Sequence, residues 1–157
     1  MNKNFWLLVR VVTVLILATV LLGGCGKKEV SPQGGVVSEV TMTTAVDSED
    51  RPTNPTTVFP TDADGFIVSF KISGFPVDSK VRAEWIYVGG DPEIEAQIGQ
   101  NYVMETHTAT ITREGEGYTA AAYIRPPLED YRWPKGDYKV VLSVGDEEKA
   151  SASFKVE

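Results

Sequence analysis

From residue 36 onward the chain repeats one pattern: apolar and polar side chains alternate with a period of two. In 66–72 the apolar set is Phe66, Val68, Phe70 and Ile72, with Ser69 and Lys71 between them. In 81–87 Val81, Ala83, Trp85 and Tyr87 stand against Arg82 and Glu84. In 138–144 the set is Tyr138, Val140, Leu142 and Val144, and in 149–156 it is Ala150, Ala152, Phe154 and Val156. Successive side chains of a strand point to opposite faces, so this period describes strands with one dry face and one wetter face. Three further stretches alternate less sharply. They are 36–46 (Val36, Val40, Met42, Val46), 102–113 (threonine-rich, with Val103, Ala109 and Ile111 on one face) and 118–124 (Tyr118, Ala120, Ala122, Ile124). The pattern predicts seven strands.

Turn chemistry separates them. Asp62-Ala63-Asp64-Gly65, Gly74-Phe75-Pro76, Gly89-Gly90-Asp91-Pro92, Gly115-Glu116-Gly117, Lys135-Gly136-Asp137 and Gly145-Asp146 fall between the alternating runs. Half-buried antiparallel sheets give such alternation, and two of them face to face make a β-sandwich. Helical periodicity is weak throughout this region; the best candidate is 92–99, where Ile94 and Ile98 lie four apart. Two segments break the rhythm. Ser48–Pro60, with Pro52, Pro55 and Pro60, reads as a long extended connection. Arg125–Pro134 carries Pro126, Pro127 and Pro134 beside Tyr131 and Trp133. Proline removes ladder donors, so neither segment is expected to hold a central strand.

The first 25 residues have a different logic. A basic start (Lys3, Arg10) leads into the apolar run Val11–Leu22, and Gly23, Gly24 and the single cysteine, Cys25, follow. A retained transmembrane anchor would need about 20 consecutive apolar residues, and length alone leaves that reading open. Small residues placed directly before a cysteine point instead to a cleaved secretory signal. Leu22-Gly23-Gly24-Cys25 resembles the lipobox of bacterial lipoproteins. That resemblance implies a diacylglyceryl group on the Cys25 thiol, cleavage before it, and often a further palmitate-like chain on the new amine. It implies a chain held to a membrane by lipid, on the extracytoplasmic face of the cell envelope. One acyl chain binds a bilayer only marginally, so two or three fit a stable anchor. The division expected is a signal peptide over 1–24, a lipidated N-terminus and flexible tether over 25–35, and one domain over 36–157.

Within that domain, Trp85 sits mid-strand in VRAEWIY, Tyr138 opens a strand in WPKGDYKVVLSV, and the chain closes on ASASFKVE. The combination resembles immunoglobulin-like, fibronectin type III-like domains of secreted bacterial and archaeal proteins. It implies an all-β, seven-stranded antiparallel sandwich, with Trp85 between the sheets and Tyr138 near a tyrosine corner. With one cysteine there is no inter-sheet disulfide. Such domains usually serve adhesion, display, assembly or ligand binding, and the resemblance carries no catalytic residues.

The residues themselves offer little chemistry. His107 is the only histidine, no G-x-S-x-G elbow exists, and the pairs Glu93/Glu95, Glu114/Glu116 and Glu147/Glu148 lie near turns. No enzyme, cofactor or metal site is expected. The calcium question stays open at Asp62 and Asp64, where an EF-hand-like start lacks its closing glutamate, with Asp47, Glu49 and Asp50 as further oxygens. The net charge is −7. Loss of 1–24 would remove Lys3 and Arg10 and no acid, so nucleic acid is a poor partner. Tyr131, Trp133 and Tyr138 are the candidate ligand contacts, since aromatic rings with polar tips stack on sugars and peptides. The competing reading packs Trp133 and Tyr138 into the end of the core. Thr106–Thr112 is a candidate edge for strand addition. The function expected is a membrane-anchored, non-catalytic binding module for a protein or cell-surface polymer. The alternative is an assembly accessory of an envelope complex.

Overall fold

The computed structural model describes residues 34–112, 114–126 and 130–157. They form eight strands and one short helix. In chain order these are β1 (Val36–Thr43), β2 (Val58–Phe59), β3 (Gly65–Ser73), β4 (Lys80–Gly89), α1 (Pro92–Ile98), β5 (Tyr102–Thr110), β6 (Gly117–Ile124), β7 (Gly136–Val144) and β8 (Glu147–Val156). One sheet has the order β1-β3-β6 and the other β2-β8-β7-β4-β5. Every pairing is antiparallel except β2 with β8. The strand count is thus eight, not seven. The added strand, Val58–Phe59, falls at the end of the proline-rich segment read as a connection. Its parallel pairing to β8 buries Phe59 completely.

Phe66 is the knob that closes the sandwich. From β3 it meets Phe59 at 5.1 Å, Phe154 at 4.7 Å, Tyr138 at 5.7 Å and Trp85 at 6.4 Å, all on the facing sheet. It also meets Trp133, which enters from the β6–β7 connection, at 4.4 Å. The alternation in β3, β4, β7 and β8 points these side chains inward as expected. Phe66, Val68, Phe70, Val81, Trp85, Tyr87, Val140, Leu142 and Phe154 all lie in one core. Among the described residues every member of this core falls between Val37 and Val156, within the compact unit Ser31–Glu157.

Three strands face otherwise than their composition suggests. In β5 the register with β4 slips between Trp85 and Ile86, so Met104 packs on the core and Val103, 46% exposed, does not share the face of Ala109 and Ile111. In β1 the register with β3 slips between Ser38 and Thr41, and Glu39 adopts φ 49°. This bulge reverses the parity, so Val37 packs on the core while Val36 is 54% exposed. In β6 the register sets Ala121 opposite Val68 and Tyr123 opposite Phe66, so the odd residues face inward. Tyr118, Ala120, Ala122 and Ile124 face outward instead, and Ile124 is 64% exposed.

The bulge is held by polar contacts on the outer face of the sheet. Tyr118 Oη donates to Glu39 Oε2, and Lys71 Nζ bridges Glu39, at 3.3 Å, and Glu116. The Tyr118 hydrogen bond, then Lys71, holds the Glu39 carboxyl below its ordinary value. Beyond β1, residues 44–57 double back as an irregular hairpin, with bridges Thr43–Pro55 and Val46–Pro52. Ser69, fully buried on the outer face of β3, donates to Asp50 O at 2.6 Å and pins the hairpin tip.

Close backbone approach explains two glycines. Gly136 has φ 144°, and a Cβ there would lie 2.4 Å from Gly89 O, so the start of β7 and the end of β4 touch through glycine. Gly35, assigned above to the tether, is buried against Phe75, whose ring would lie 2.1 Å from a Cβ. α1 begins at Asp91, whose carboxylate accepts from Glu93 N (2.9 Å) and Ile94 N (3.4 Å), with Pro92 at the first helical position. Ile94 and Ile98 pack on the core rim.

Phe66→Ala should cost about 3–5 kcal/mol, the usual range for a fully buried phenylalanine. Urea unfolding of residues 31–157 would show this as a lower midpoint with unchanged slope. The Glu39 contacts predict a pH dependence. A carboxyl depressed in the folded state contributes stability above its unfolded value, and that contribution is lost as pH falls through the folded value. The urea midpoint should therefore decline below about pH 4.3, and decline less in Glu39→Gln. Asp47, lowered chiefly by backbone hydrogen bonds from Arg51 and Glu49, supplies a share of the same sign that this variant keeps.

Candidate functional site

The segment between β6 and β7 brings Tyr131, Trp133 and Tyr138 together at one end of the sandwich, but not as an exposed platform. Trp133 is 1% and Tyr138 2% exposed. Trp133 is held at both polar atoms: its backbone N donates to Thr61 O and its Nε1 to Ala63 O, each at 2.8 Å. Tyr138 Oη donates to Pro134 O at 2.7 Å. That bond, from the start of β7 back to a carbonyl four residues upstream, has the form of the tyrosine corner that the resemblance implied. Burial pushes the Tyr138 phenol well above the usual tyrosine range, so it stays a donor. Trp133 and Tyr138 are therefore core residues and not exposed ligand contacts. Tyr131 alone of the three reaches the surface, half-buried with its ring perpendicular to Trp133 at 5.2 Å. Pro127, which flanks this cluster in the sequence, lies outside the described residues.

The reason for the misassignment is physical. A proline-rich aromatic loop has the same composition whether its rings face solvent or roof a core. The distinguishing contacts, to Ala63, Thr61 and Phe66, are about seventy residues away in the sequence.

His107 sits on the exposed edge strand β5, opposite Ala83 of β4, with its ring 6.3 Å from that of Tyr123 on β6. Between β5 and β6 the sandwich opens into a cleft of about 220 Å³. Phe70, Val81 and Ala83 form its floor, and His107, Ala109 and Ala121 are among its walls. Burial raises the Tyr123 phenol to about 12. An imidazole beside an apolar cleft can donate or accept a hydrogen bond. The lining supplies no serine or cysteine nucleophile for it to activate.

Three of the acidic candidates have basic partners. Asp64 lies 3.7 Å from Arg125. Asp47 Oδ1 accepts from Glu49 N and Arg51 N, and Arg51 pairs with both Asp47 (2.9 Å) and Glu49 (3.0 Å). Among the described residues no group of three or more metal-ligating side chains converges. Cys25 and the lipobox Leu22, Gly23 and Gly24 lie outside the described residues, as does the tether before Gly34. No helix among the described residues is long and apolar enough to cross a membrane.

The sequence matches no protein-family model and no curated protein. Its fold, however, recurs among solved structures. An immunoglobulin-like protein from Pseudomonas aeruginosa superposes with a TM-score of 0.51 at 17% identity, covering 81% of this chain and 99% of that one. The alkylpurine DNA glycosylase AlkC from Pseudomonas fluorescens, bound to DNA containing an abasic site analog, also gives 0.51, at 12% identity over 78% of this chain. This chain spans only 30% of that enzyme. A β-D-glucoside glucohydrolase from Trichoderma reesei gives 0.48 at 11% identity, with 79% of this chain and 19% of that one covered. At such identities the likeness is one of fold, and the fold is an immunoglobulin-like β-sandwich.

Proposed function

We propose that this chain is an extracytoplasmic lipoprotein, anchored through lipid on Cys25. Its immunoglobulin-like domain binds another protein or a cell-surface polymer and catalyses nothing. The observation that carries this reading is the fold itself, which covers nearly all of an immunoglobulin-like protein and spends its large aromatic side chains on holding two sheets together. The Leu22-Gly23-Gly24-Cys25 pattern supports the anchor, and the net charge of −7 argues against nucleic acid. Tyr131 is the aromatic of the β6–β7 corner left to meet a partner.

The alternative is an assembly accessory that stays within an envelope complex. Exposed apolar side chains on several elements favour it: Val36, Val58, Tyr102, Val103 and Ile124 are each about half exposed or more.

Crosslinking in intact cells, with an affinity tag after Glu157, tests both. A dominant partner that dissociates in the purified state supports the binding module; one that copurifies in fixed proportion supports the accessory. Capture should fall in Cys25→Ala, and a soluble partner retained at full yield without the lipid would contradict the anchored reading. Tyr131→Ala should reduce capture several-fold, about 1–2 kcal/mol, with little change in the urea midpoint. Trp133→Ala should lower the midpoint strongly, because it removes a buried ring and leaves Ala63 O without its donor.

A further inference from the structure

The two sides of the sandwich are closed differently. On one side β1 is overlain by the 44–57 hairpin, and β2 is a two-residue strand between Pro55 and Pro60. On the other side β5 and β6 end their sheets. Natural sheet edges are blunted by lysine, proline, brevity or a covering loop. β5 runs for nine residues, contains no Pro, Gly or Lys, and has one formal charge, Glu105.

The backbone of β5 can be oriented residue by residue. Ile111 exchanges both its bonds with the chain leading into β4: its N donates to Ser79 O and its O accepts from Asp78 N, each at 2.9 Å. From Lys80↔Thr110 to Trp85↔Glu105 the ladder is regular. Strand alternation therefore turns the odd residues of this run toward β4 and the even ones away. Thr106, Thr108 and Thr110, all exposed, present their N–H and C=O groups to the open side. Consistent with this, Thr106 N–H is taken by the carboxylate of its own neighbour, Glu105, at 3.2 Å.

We propose that β5 pairs antiparallel with β5 of a second copy of this chain, about a two-fold axis through Thr108. The axis follows from three constraints. A two-fold perpendicular to the sheet keeps each face on its own side, so a residue must lie on it. The ladder must stay within 105–110, because the bulge at Met104 reverses the parity: Val103 pairs with Ile86 and Tyr102 with Tyr87. The residues facing each other must be the even ones that carry the free groups. Thr108 meets all three. It places Thr108 opposite Thr108 and Thr106 opposite Thr110 of the second copy, each pair exchanging both N–H···O=C bonds. The threonine side chains pair on the outer face, a favoured cross-strand combination.

On the inner face His107 lies opposite Ala109. No like charge meets its own kind, although the chain carries 22 Asp+Glu against 15 Lys+Arg. β5 is an edge along which one acidic copy approaches another without opposed carboxylates. Glu105 acts as a guard, since its carboxylate must leave Thr106 N–H before the new strand takes it. This pairing is independent of the partner proposed above and of the lipid anchor.

Residues 31–157 contain all of the described core and lack Cys25, so an introduced cysteine is the only thiol. In a hydrogen-bonded antiparallel pair the Cα atoms lie about 5.5 Å apart, within disulfide range. On mild oxidation Thr108→Cys should give a covalent dimer. Thr106→Cys and Thr110→Cys should stay monomeric alone and crosslink when mixed. By sedimentation, the unmodified chain should dimerise at high concentration. Thr108→Lys, which sets two lysines face to face on the axis, should weaken this by about tenfold while retaining the near-ultraviolet signal of the buried tryptophans. A monomer at every concentration with Thr108→Cys unlinked would overturn the proposal. So would equal crosslinking at all three positions, or the edge accepting only a foreign strand.

Discussion

The packing of Phe66 against the facing sheet is the contact on which the other features of this domain depend. Its ring touches four aromatic side chains from β2, β4, β7 and β8 and one from the β6–β7 corner. The ladder hydrogen bonds organise each sheet internally but run within its plane, so side-chain burial is what joins the facing surfaces of the two layers. The corner is fastened to the same knob: Trp133 lies on Phe66, ties its Nε1 to Ala63 O, and precedes the Tyr138–Pro134 bond that starts β7. Trp85 shows the cost of so apolar an interior. Its Nε1 is buried without a hydrogen-bond partner among the described residues, a desolvation penalty offset by the ring contacts around it.

Where the sequence predicted the fold well, charge made the pattern unambiguous. Lys71 in β3, and Arg82 and Glu84 in β4, mark an outer face that leaves Phe66, Val68, Trp85 and Tyr87 one direction to point. β6 reads GYTAAAYI, with no charge to choose between faces, and alternation favoured the wrong one. The register with β3, a contact across some fifty residues, decides it for Tyr123 and Ala121. β1 misleads differently. A single residue at positive φ, Glu39, changes the parity, and a glutamate in a strand gives no notice of a bulge. β2 escaped because two residues beside Pro60 are too short to alternate; only the ladder to Lys155 and Val156 defines them.

The candidate site was legible in outline and mistaken in its surface. The sequence marked Tyr131, Trp133 and Tyr138 as a group, and the fold does bring them together. Burial divides them, because Trp133 and Tyr138 have hydrogen-bond acceptors and ring partners inside the domain and Tyr131 has Trp133 only at its edge. The threonines of β5 were marked as a candidate edge, and β5 does end its sheet. The sequence could not show the contrast between the two sides, one covered by a hairpin pinned through Ser69 and the other, among the described residues, ending in the unpaired edges of β5 and β6.

Native-state amide hydrogen exchange of residues 31–157 tests most directly whether one aromatic cluster holds both sheets in a single cooperative unit. If it does, the slowest amides of β3 and those of β4 and β7 will exchange with the same free energy, that of global unfolding, with the edge strand β5 faster. If the β3 amides open at clearly lower free energy than those of β4 and β7, the sheets separate before either unfolds, and Phe66 is not the contact that joins them.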